Sequence, residues 1–165
     1  MFLSRNHTCC FTGHRVIEEA HRAQLPFLLE RTIRELIFQE YYIFAAGGAL
    51  GFDTMAAEAV LALKEEFPHL RLVVVAPYAG QADGWNRTDQ MRYERIRAAA
   101  SDYRCLAASY SRDCMRRRNL ELVEMSAVCV SYCLREHSGT AQTVGFALRE
   151  GLQIIPLAEQ LTAAD

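Results

Sequence analysis

A run of three arginines and a later Gly-Thr pair are the residues of this chain best suited to hold a phosphate. The arginines occupy positions 116–118, an apolar stretch follows, and Ser138-Gly139-Thr140 comes directly after that stretch. A helix beginning near Thr140 would direct free backbone N–H groups and about half a positive charge at an anion. Gly139 would let a ligand approach the backbone, and the Thr140 hydroxyl would cap the helix or contact the ligand. The pattern therefore predicts an anion-binding turn.

Only part of the arginine run can face a single ligand. Successive residues of a helix are rotated by about 100°, so Arg116, Arg117 and Arg118 point in different directions. We expect Arg118, together with the neighbouring Asn119, to contact the ligand. The other arginines are then solvated.

Three further loops carry polar or aromatic residues that suit a ligand. Gly13-His14-Arg15 could place an imidazole and a planar guanidinium on a phosphate, or could be a solvated surface turn. Gly47-Gly48 opens a glycine-rich turn that matches neither the GxGxxG pattern nor the Walker loop of nucleotide-binding proteins. Trp85 could stack on a base or could simply pack its loop onto the core. We include all of these residues in the predicted ligand site.

Asp53 ends the glycine-rich loop, and two roles remain open for it. It could contact a ribose hydroxyl or activate water, but an Asp at the start of a helix is most simply an N-cap that accepts backbone hydrogen bonds. Glu58 lies five positions further along the same predicted helix, on a face of small residues. Both carboxylates are candidate catalytic groups, as is Arg118.

The elements that must position these residues alternate between strands and helices. Hydrophobic patterning and breaker residues predict strands at 8–12, 41–46, 70–76, 103–107, 127–134 and 153–157, and helices at 26–39, 54–67, 89–100, 113–125 and 140–150. This alternation predicts an α/β fold, a doubly wound, mainly parallel sheet with helices on both faces and right-handed crossovers. Ligands bind such sheets outside the carboxyl ends of the strands, where the loops described above lie.

Composition limits the function classes. The chain has 165 residues, 51% of them hydrophobic, and a formal net charge of −2, so we expect one domain over residues 1–165. Basic residues mostly alternate with acidic ones, which argues against duplex nucleic acid as a partner. No apolar run approaches the roughly 20 residues of a membrane span, and the N-terminus lacks a secretory signal pattern. We therefore expect a cytoplasmic protein without membrane contact, and a homo-oligomer stays open.

The cysteines predict neither a metal site nor a disulfide framework. The chain has six cysteines, none of them in a CxxC pair, and most lie in apolar segments where a reduced thiol packs as a small hydrophobe. We read them as free thiols and expect no metal and no cofactor.

With these residues in place, the chain resembles the SLOG superfamily, in particular its small stand-alone YpsA-like branch. The resemblance extends over nearly the full length and rests on four segments. They are Cys10-Phe11-Thr12-Gly13-His14-Arg15; Gly47-Gly48-Ala49-Leu50-Gly51-Phe52-Asp53 with Ala56-Ala57-Glu58; Gly80-Gln81 with Trp85, Asp89-Gln90 and Arg92-Tyr93; and Arg118-Asn119 with Gly139-Thr140-Ala141 and Thr143-Val144. The resemblance implies a Rossmann-like fold and a site for a nucleotide or nucleotide-derived ligand.

More distant relatives in that superfamily suggest a hydrolytic alternative. The Lonely Guy phosphoribohydrolases carry a catalytic Arg before the last strand and a catalytic Glu three residues after a Gly-Thr turn. Arg118 matches the arginine, but Thr143 stands where the glutamate would be. For this chain to hydrolyse a nucleoside monophosphate, Asp53 or Glu58 must supply the missing carboxylate.

We therefore expect a domain that binds a nucleotide-derived small molecule. Gly139 and Thr140 hold its phosphate, Arg118 neutralises the charge, and His14, Arg15 and Gly48 line the rest of the site. The alternatives are an N-glycosidase or phosphoribohydrolase, and a non-catalytic interaction or single-strand DNA-binding protein resembling the DNA-processing relatives. A carboxylate close to the Gly139 turn would favour catalysis, and its absence would favour binding.

Overall fold

The computed structural model describes residues 4–161, which form a six-stranded sheet with helices on both faces. The strands are β1 Thr8–Gly13, β2 Ile43–Ala46, β3 Arg71–Ala76, β4 Asp102–Cys105, β5 Val128–Tyr132 and β6 Gln153–Pro156. The helices are α1 Leu25–Phe38, α2 Phe52–Lys64, α3 Arg87–Ala99, α4 Cys114–Glu124 and α5 Gly139–Arg149, with short 3-10 turns at Arg5–His7, Glu19–His21 and Leu157–Gln160. No helix in this part of the chain is long and apolar enough to cross a membrane.

The sheet is wholly parallel and has the order β4-β3-β2-β1-β5-β6. Central strands such as β2 and β5 are buried along their whole length, as expected for strands covered on both faces, whereas the edge strands β4 and β6 are partly exposed. The chain runs outward from β1 to β4 and then returns to place β5 on the other side of β1. The point where the strand order reverses therefore lies between β1 and β5.

Two hydrophobic layers hold the helices on the sheet. Adjacent residues of one strand point to opposite faces, so Cys9 packs into one layer and Cys10 into the other. Helices α1 and α2 supply the larger layer, and α4 and α5 supply the smaller one. The predicted α/β doubly wound architecture is confirmed, with every predicted strand and helix present and boundaries shifted by a few residues.

The loop after β1 packs tightly against the start of α2. Gly51, at φ +82°, is the N-cap of α2, and a Cβ on it would lie 2.1 Å from the Arg15 carbonyl oxygen. A Cβ on Gly13 would lie 2.4 Å from the Phe52 ring, and the Phe52 N–H donates to the His14 carbonyl at 3.1 Å. Glycine is therefore needed at both positions, and the close approach fixes His14 and Arg15 beside the first turn of α2.

Candidate functional site

A pocket of about 420 Å³ lies at the carboxyl edge of the sheet, between the ends of β1 and β5. Its volume falls within the range of small-molecule sites, and its position is the strand-order reversal where doubly wound sheets bind ligands. Nine of the predicted ligand residues line it, namely Gly13, His14, Arg15, Asp53, Arg118, Asn119, Ser138, Gly139 and Thr140. Four segments that are distant in sequence thus meet at one site: the loop after β1, the start of α2, helix α4 and the start of α5.

The amino end of α5 forms one wall of the pocket. Ser138 is the N-cap, and its hydroxyl oxygen accepts a hydrogen bond from the Ala141 N–H at 3.1 Å. The helix therefore begins at Gly139 rather than Thr140, and the cap is Ser138 rather than Thr140. A Cβ on Gly139 would meet no heavy atom within 4 Å, so the space over this turn is open. Since the first N–H groups of a helix lack acceptors within it, the turn can receive an anion.

His14 is buried beneath this turn, and its hydrogen bonds define its tautomer. The ring is 4% exposed, and its Nε2 accepts a hydrogen bond from the Leu134 N–H at 2.8 Å. The neutral ring therefore carries its proton on Nδ1, which lies 3.4 Å from the Thr140 hydroxyl and can donate to it. Burial, and then the charge of Arg135, lower the pKa of His14, which keeps it neutral. Both ring nitrogens thus face protein groups, and His14 joins the β5 loop to the start of α5.

Arg118 is the arginine of the 116–118 run that enters the pocket. It is 6% exposed, whereas Arg116 and Arg117 are exposed, and Arg116 pairs with Asp113 at 3.8 Å. The Arg118 Nε–H donates to Asn119 Oδ1 at 2.9 Å, and Nη1 donates to the Gly47 carbonyl oxygen. Because an arginine only donates, the first bond fixes the Asn119 amide with its NH₂ group free to donate to a ligand.

Asp53 lies in the pocket, but it is not the helix N-cap that the sequence suggested. Gly51 occupies the N-cap, while Asp53 is the second residue of α2 and is only 7% exposed. Its Oδ2 accepts a hydrogen bond from the Ala49 N–H at 3.3 Å. Burial raises the pKa of Asp53 to about 6, although the charge of Arg118 and the backbone N–H groups of Ala49 and Gly47 oppose the shift. This carboxyl group can therefore accept or donate a proton near neutral pH.

The structure places the remaining predicted residues outside the pocket lining. Glu58 forms an ion pair with Arg92 of α3 and does not line the pocket that contains the α5 turn, so it is not placed to supply the missing carboxylate. Trp85 packs edge-on against Tyr93, with ring centroids 5.5 Å apart. Gly47 lies against the Arg118 guanidinium, and Gly48 lies beside Gln81 and Tyr93; neither glycine lines the pocket.

Seven residues that were not among the predicted ligand residues also line the pocket, namely Phe11, Thr12, Val16, Ala49, Met115, Leu122 and Arg135. Arg135 Nη2 lies 3.4 Å from His14 Nδ1, and Val16 and Met115 contribute apolar surface to the lining. Arg135 lies in the same β5 loop as Ser138, so the argument from strand ends could have found it. Val16 and Met115 carry no signal in the sequence that distinguishes them from ordinary core residues. The lining thus holds Arg15, Arg118 and Arg135 against the single carboxyl of Asp53, which favours an anionic ligand.

Comparison with known proteins agrees with the fold. The family model described as YspA SLOG family matches residues 9–148. A UPF0398 protein of Brevibacillus brevis is 35% identical over 91 residues, which cover 55% of this chain and 44% of the relative. The uncharacterized prophage-derived protein YoqJ of Bacillus subtilis is 29% identical over 128 residues, covering 70% of this chain and 75% of that protein. The first of these matches thus spans less than half of the relative.

Two solved structures share this architecture. DNA processing protein A from Streptococcus pneumoniae superposes with a TM-score of 0.64 at 16% sequence identity, over 90% of this chain and 49% of that one. The same protein from Helicobacter pylori gives a TM-score of 0.65 at 15% sequence identity, over 92% of this chain and 64% of that one. Its structure was described for its single-stranded DNA binding mode. At these identities the likeness concerns the fold alone.

The raised pKa of Asp53 leads to a pH dependence of stability. Folded Asp53 titrates near 6 against an ordinary value of 3.8, so the folded state binds more protons between these pH values and loses stability as the pH rises. Asp53→Asn removes this effect. We expect the variant to gain about 2 kcal/mol relative to wild type between pH 4 and pH 7, because each tenfold difference in proton affinity between the folded and unfolded states contributes about 1.4 kcal/mol and most of the titration falls within this range.

Urea unfolding of both proteins across that pH range measures the difference. Taking the difference between variant and wild type cancels the contribution of His14. If the free energies of unfolding of the two proteins changed in parallel with pH, the placement of Asp53 in a desolvated site would be contradicted.

Proposed function

The chain belongs to the YspA SLOG family, and we propose that its pocket binds a nucleotide or nucleotide-derived small molecule through a phosphate. The observation that carries the proposal is the meeting of the open α5 turn with Arg15, Arg118 and Arg135 in one pocket. A helix N-terminus and arginine guanidinium groups both favour phosphate oxygens, the first through its dipole and free N–H groups, the second through paired donors. Their convergence supports phosphate rather than a neutral ligand.

The other wall of the pocket suits the sugar and base of such a ligand. The Asp53 carboxyl can accept a hydrogen bond from a ribose hydroxyl, and the Asn119 NH₂ group can donate to an acceptor atom. Val16 and Met115 offer an apolar surface for a planar ring. The pocket of about 420 Å³ suits one small molecule rather than an extended polymer.

A single-stranded nucleic acid is the alternative ligand at the same edge. The Helicobacter pylori DNA processing protein supports this alternative through its fold and through the single-stranded DNA binding that its structure describes. Such binding ordinarily uses exposed aromatic rings on which bases stack. Phe11 is the phenylalanine that lines the pocket, and it is fully buried. A base therefore cannot stack on its ring. The pocket therefore favours the small-molecule ligand.

Binding of AMP is the direct test of the proposal. A ligand that binds only the folded state at a hundredfold excess over its dissociation constant stabilises it by about 2.7 kcal/mol. We expect AMP to raise the melting temperature, and Arg118→Ala to weaken AMP binding about 10- to 100-fold, because charge-assisted hydrogen bonds contribute about 1.5–3 kcal/mol each. Arg117→Ala is the matched control and should bind as the wild type does.

Calorimetric titration of each variant with AMP measures these affinities. Equal losses for the two arginine variants would indicate a diffuse basic surface. Binding of a single-stranded oligonucleotide with no response to any mononucleotide at millimolar concentration would overturn the proposal in favour of the single-strand alternative.

A second candidate function is hydrolysis of the glycosidic bond of a nucleoside monophosphate. The observation in its favour is Asp53, a carboxyl group whose pKa is raised to about 6 in the same pocket as the α5 turn. Against it stands Thr143, whose hydroxyl donates to the Gly139 carbonyl oxygen at 3.0 Å and which is buried in α5. Threonine cannot stabilise a developing positive charge, and loss of one such stabilising group costs about 10²–10³ in rate.

We therefore expect little or no release of adenine from AMP by the wild-type protein. Chromatography of long incubations measures the free base, with Asp53→Asn tested beside the wild type and Glu58→Gln as the carboxylate outside the pocket. Robust turnover that Asp53→Asn abolishes and Glu58→Gln leaves intact would establish the enzyme instead, with Asp53 in the role of the missing glutamate.

A further inference from the structure

Gln81 is a buried polar side chain in the loop after β3, and it lies outside the pocket. It is 5% exposed, and its Nε2 donates hydrogen bonds to the Gly47 carbonyl oxygen and to the Tyr93 hydroxyl, each at 3.2 Å. The amide nitrogen has two hydrogens, so both are used. A buried amide held in this way has a fixed orientation.

The Gly47 carbonyl joins Gln81 to the pocket. The same oxygen accepts a hydrogen bond from Arg118 Nη1, so its two lone pairs are shared between the amide and the guanidinium. A Cβ on Gly47 would lie 2.5 Å from Arg118 Nη1, so the guanidinium lies directly against this backbone. The Ala49 N–H donates to Asp53 Oδ2 at 3.3 Å, and the Gly47 N–H lowers the pKa of that carboxyl group. One turn thus holds both buried charges of the site.

Gln81 is in turn held by a block of aromatic side chains. The Tyr93 hydroxyl, which accepts from Gln81, lies 2.9 Å from the Tyr103 hydroxyl on β4. Trp85 packs edge-on against the Tyr93 ring at 5.5 Å, and the Arg97 guanidinium lies 4.1 Å from the centre of the Tyr103 ring. A chain of direct contacts therefore runs from the β4 edge of the sheet, through Tyr93 and Gln81, to Arg118.

We propose that Gln81 is a positioning residue that holds the Gly47 carbonyl, and through it the Arg118 guanidinium, in the orientation that receives the ligand anion. This inference rests on the proposed phosphate-binding function. Arg118 Nε donates to Asn119 and Nη1 donates to Gly47. Among residues 4–161, Nη2 makes only a weak contact with the Met115 sulfur at 3.8 Å, so it remains available to the ligand. A side chain ordered before binding loses less conformational entropy when the ligand arrives, which strengthens binding.

The role also explains the loop after β3, which contains Gln81 and Trp85, and its contact with Tyr93 of α3. Trp85 was a candidate base-stacking residue, but it packs on Tyr93 instead. In our proposal this segment acts on the ligand through Gly47 rather than by touching it.

Gln81→Met tests the proposal in the full chain, because methionine keeps the length of the side chain and removes both donors. We expect the affinity for AMP to fall about 3- to 10-fold, the range for loss of one ordinary hydrogen bond. The matched control is Gln90→Met. Gln90 Nε2 donates to the carbonyl oxygens of Ala82 and Asp83, both at 3.1 Å, and it makes no contact with Gly47. The affinity of the Gln90→Met protein for AMP should stay within twofold of wild type.

A double-mutant cycle separates positioning from general structural support. A residue that acts through Arg118 has no further effect on AMP binding once Arg118 is alanine, so Gln81→Met should change affinity in the wild type and not in Arg118→Ala. An unchanged affinity in Gln81→Met, or an equal loss in both backgrounds, would overturn the proposal. If Gln81→Met does not fold, Tyr93→Phe serves instead, because it removes one hydrogen-bond partner of Gln81. It should lower the affinity for AMP less than Gln81→Met, and only where Arg118 is present.

A measurement without ligand distinguishes failure of this inference from failure of the proposed function. The Arg118 Nε–H is buried and hydrogen-bonded to Asn119, so its ¹⁵N NMR signal, identified by its loss in Arg118→Lys, should be protected from solvent exchange. We expect exchange to be faster in Gln81→Met and unchanged in Gln90→Met. Unchanged exchange of the Arg118 Nε–H in Gln81→Met would overturn the positioning role, whether or not the protein binds AMP.

Discussion

The burial of the Arg118 guanidinium is the constraint on which the rest of the site depends. Taking a cation out of water costs several kcal/mol unless hydrogen bonds and an opposite charge compensate it. Burial lowers the pKa of Arg118, and the nearby Asp53 carboxyl opposes that shift. The Gly47 carbonyl and the Asn119 amide satisfy two of its nitrogens. Glycine at position 47 is therefore needed to let the backbone approach this cation.

The sheet topology brings the other charges to Arg118. Strand order reverses between β1 and β5, so the loops after these strands separate and leave a pocket between them. His14 then closes the base of the pocket, because its Nε2 accepts from the β5 loop while its Nδ1 faces Thr140 at the start of α5. The α5 turn and the buried arginine thus line the same pocket, where the phosphate of the proposed ligand would complete the charge balance.

Sequence patterns predicted the fold well because each element depends on local residue preferences. Uniformly apolar runs such as Val73-Val74-Val75 identify buried parallel strands, and strand-to-helix alternation leaves few topologies. The same reasoning placed most candidate residues correctly at the carboxyl edge. It failed where long-range partners decide the outcome. Glu58 pairs with Arg92 and Trp85 packs on Tyr93, and neither contact has a signal in local sequence. Gly51 rather than Asp53 is the N-cap of α2, and Gly51 packs against the Arg15 carbonyl in the loop after β1.

The most direct test of the account is a crystal structure of the protein with AMP bound. We expect the phosphate to lie over the Gly139 turn, with its oxygens accepting hydrogen bonds from the Gly139 or Thr140 N–H and from the Arg118 guanidinium. The ribose should lie towards Asp53. A phosphate bound at any other surface, with the α5 turn and Arg118 free of contact, would contradict the account.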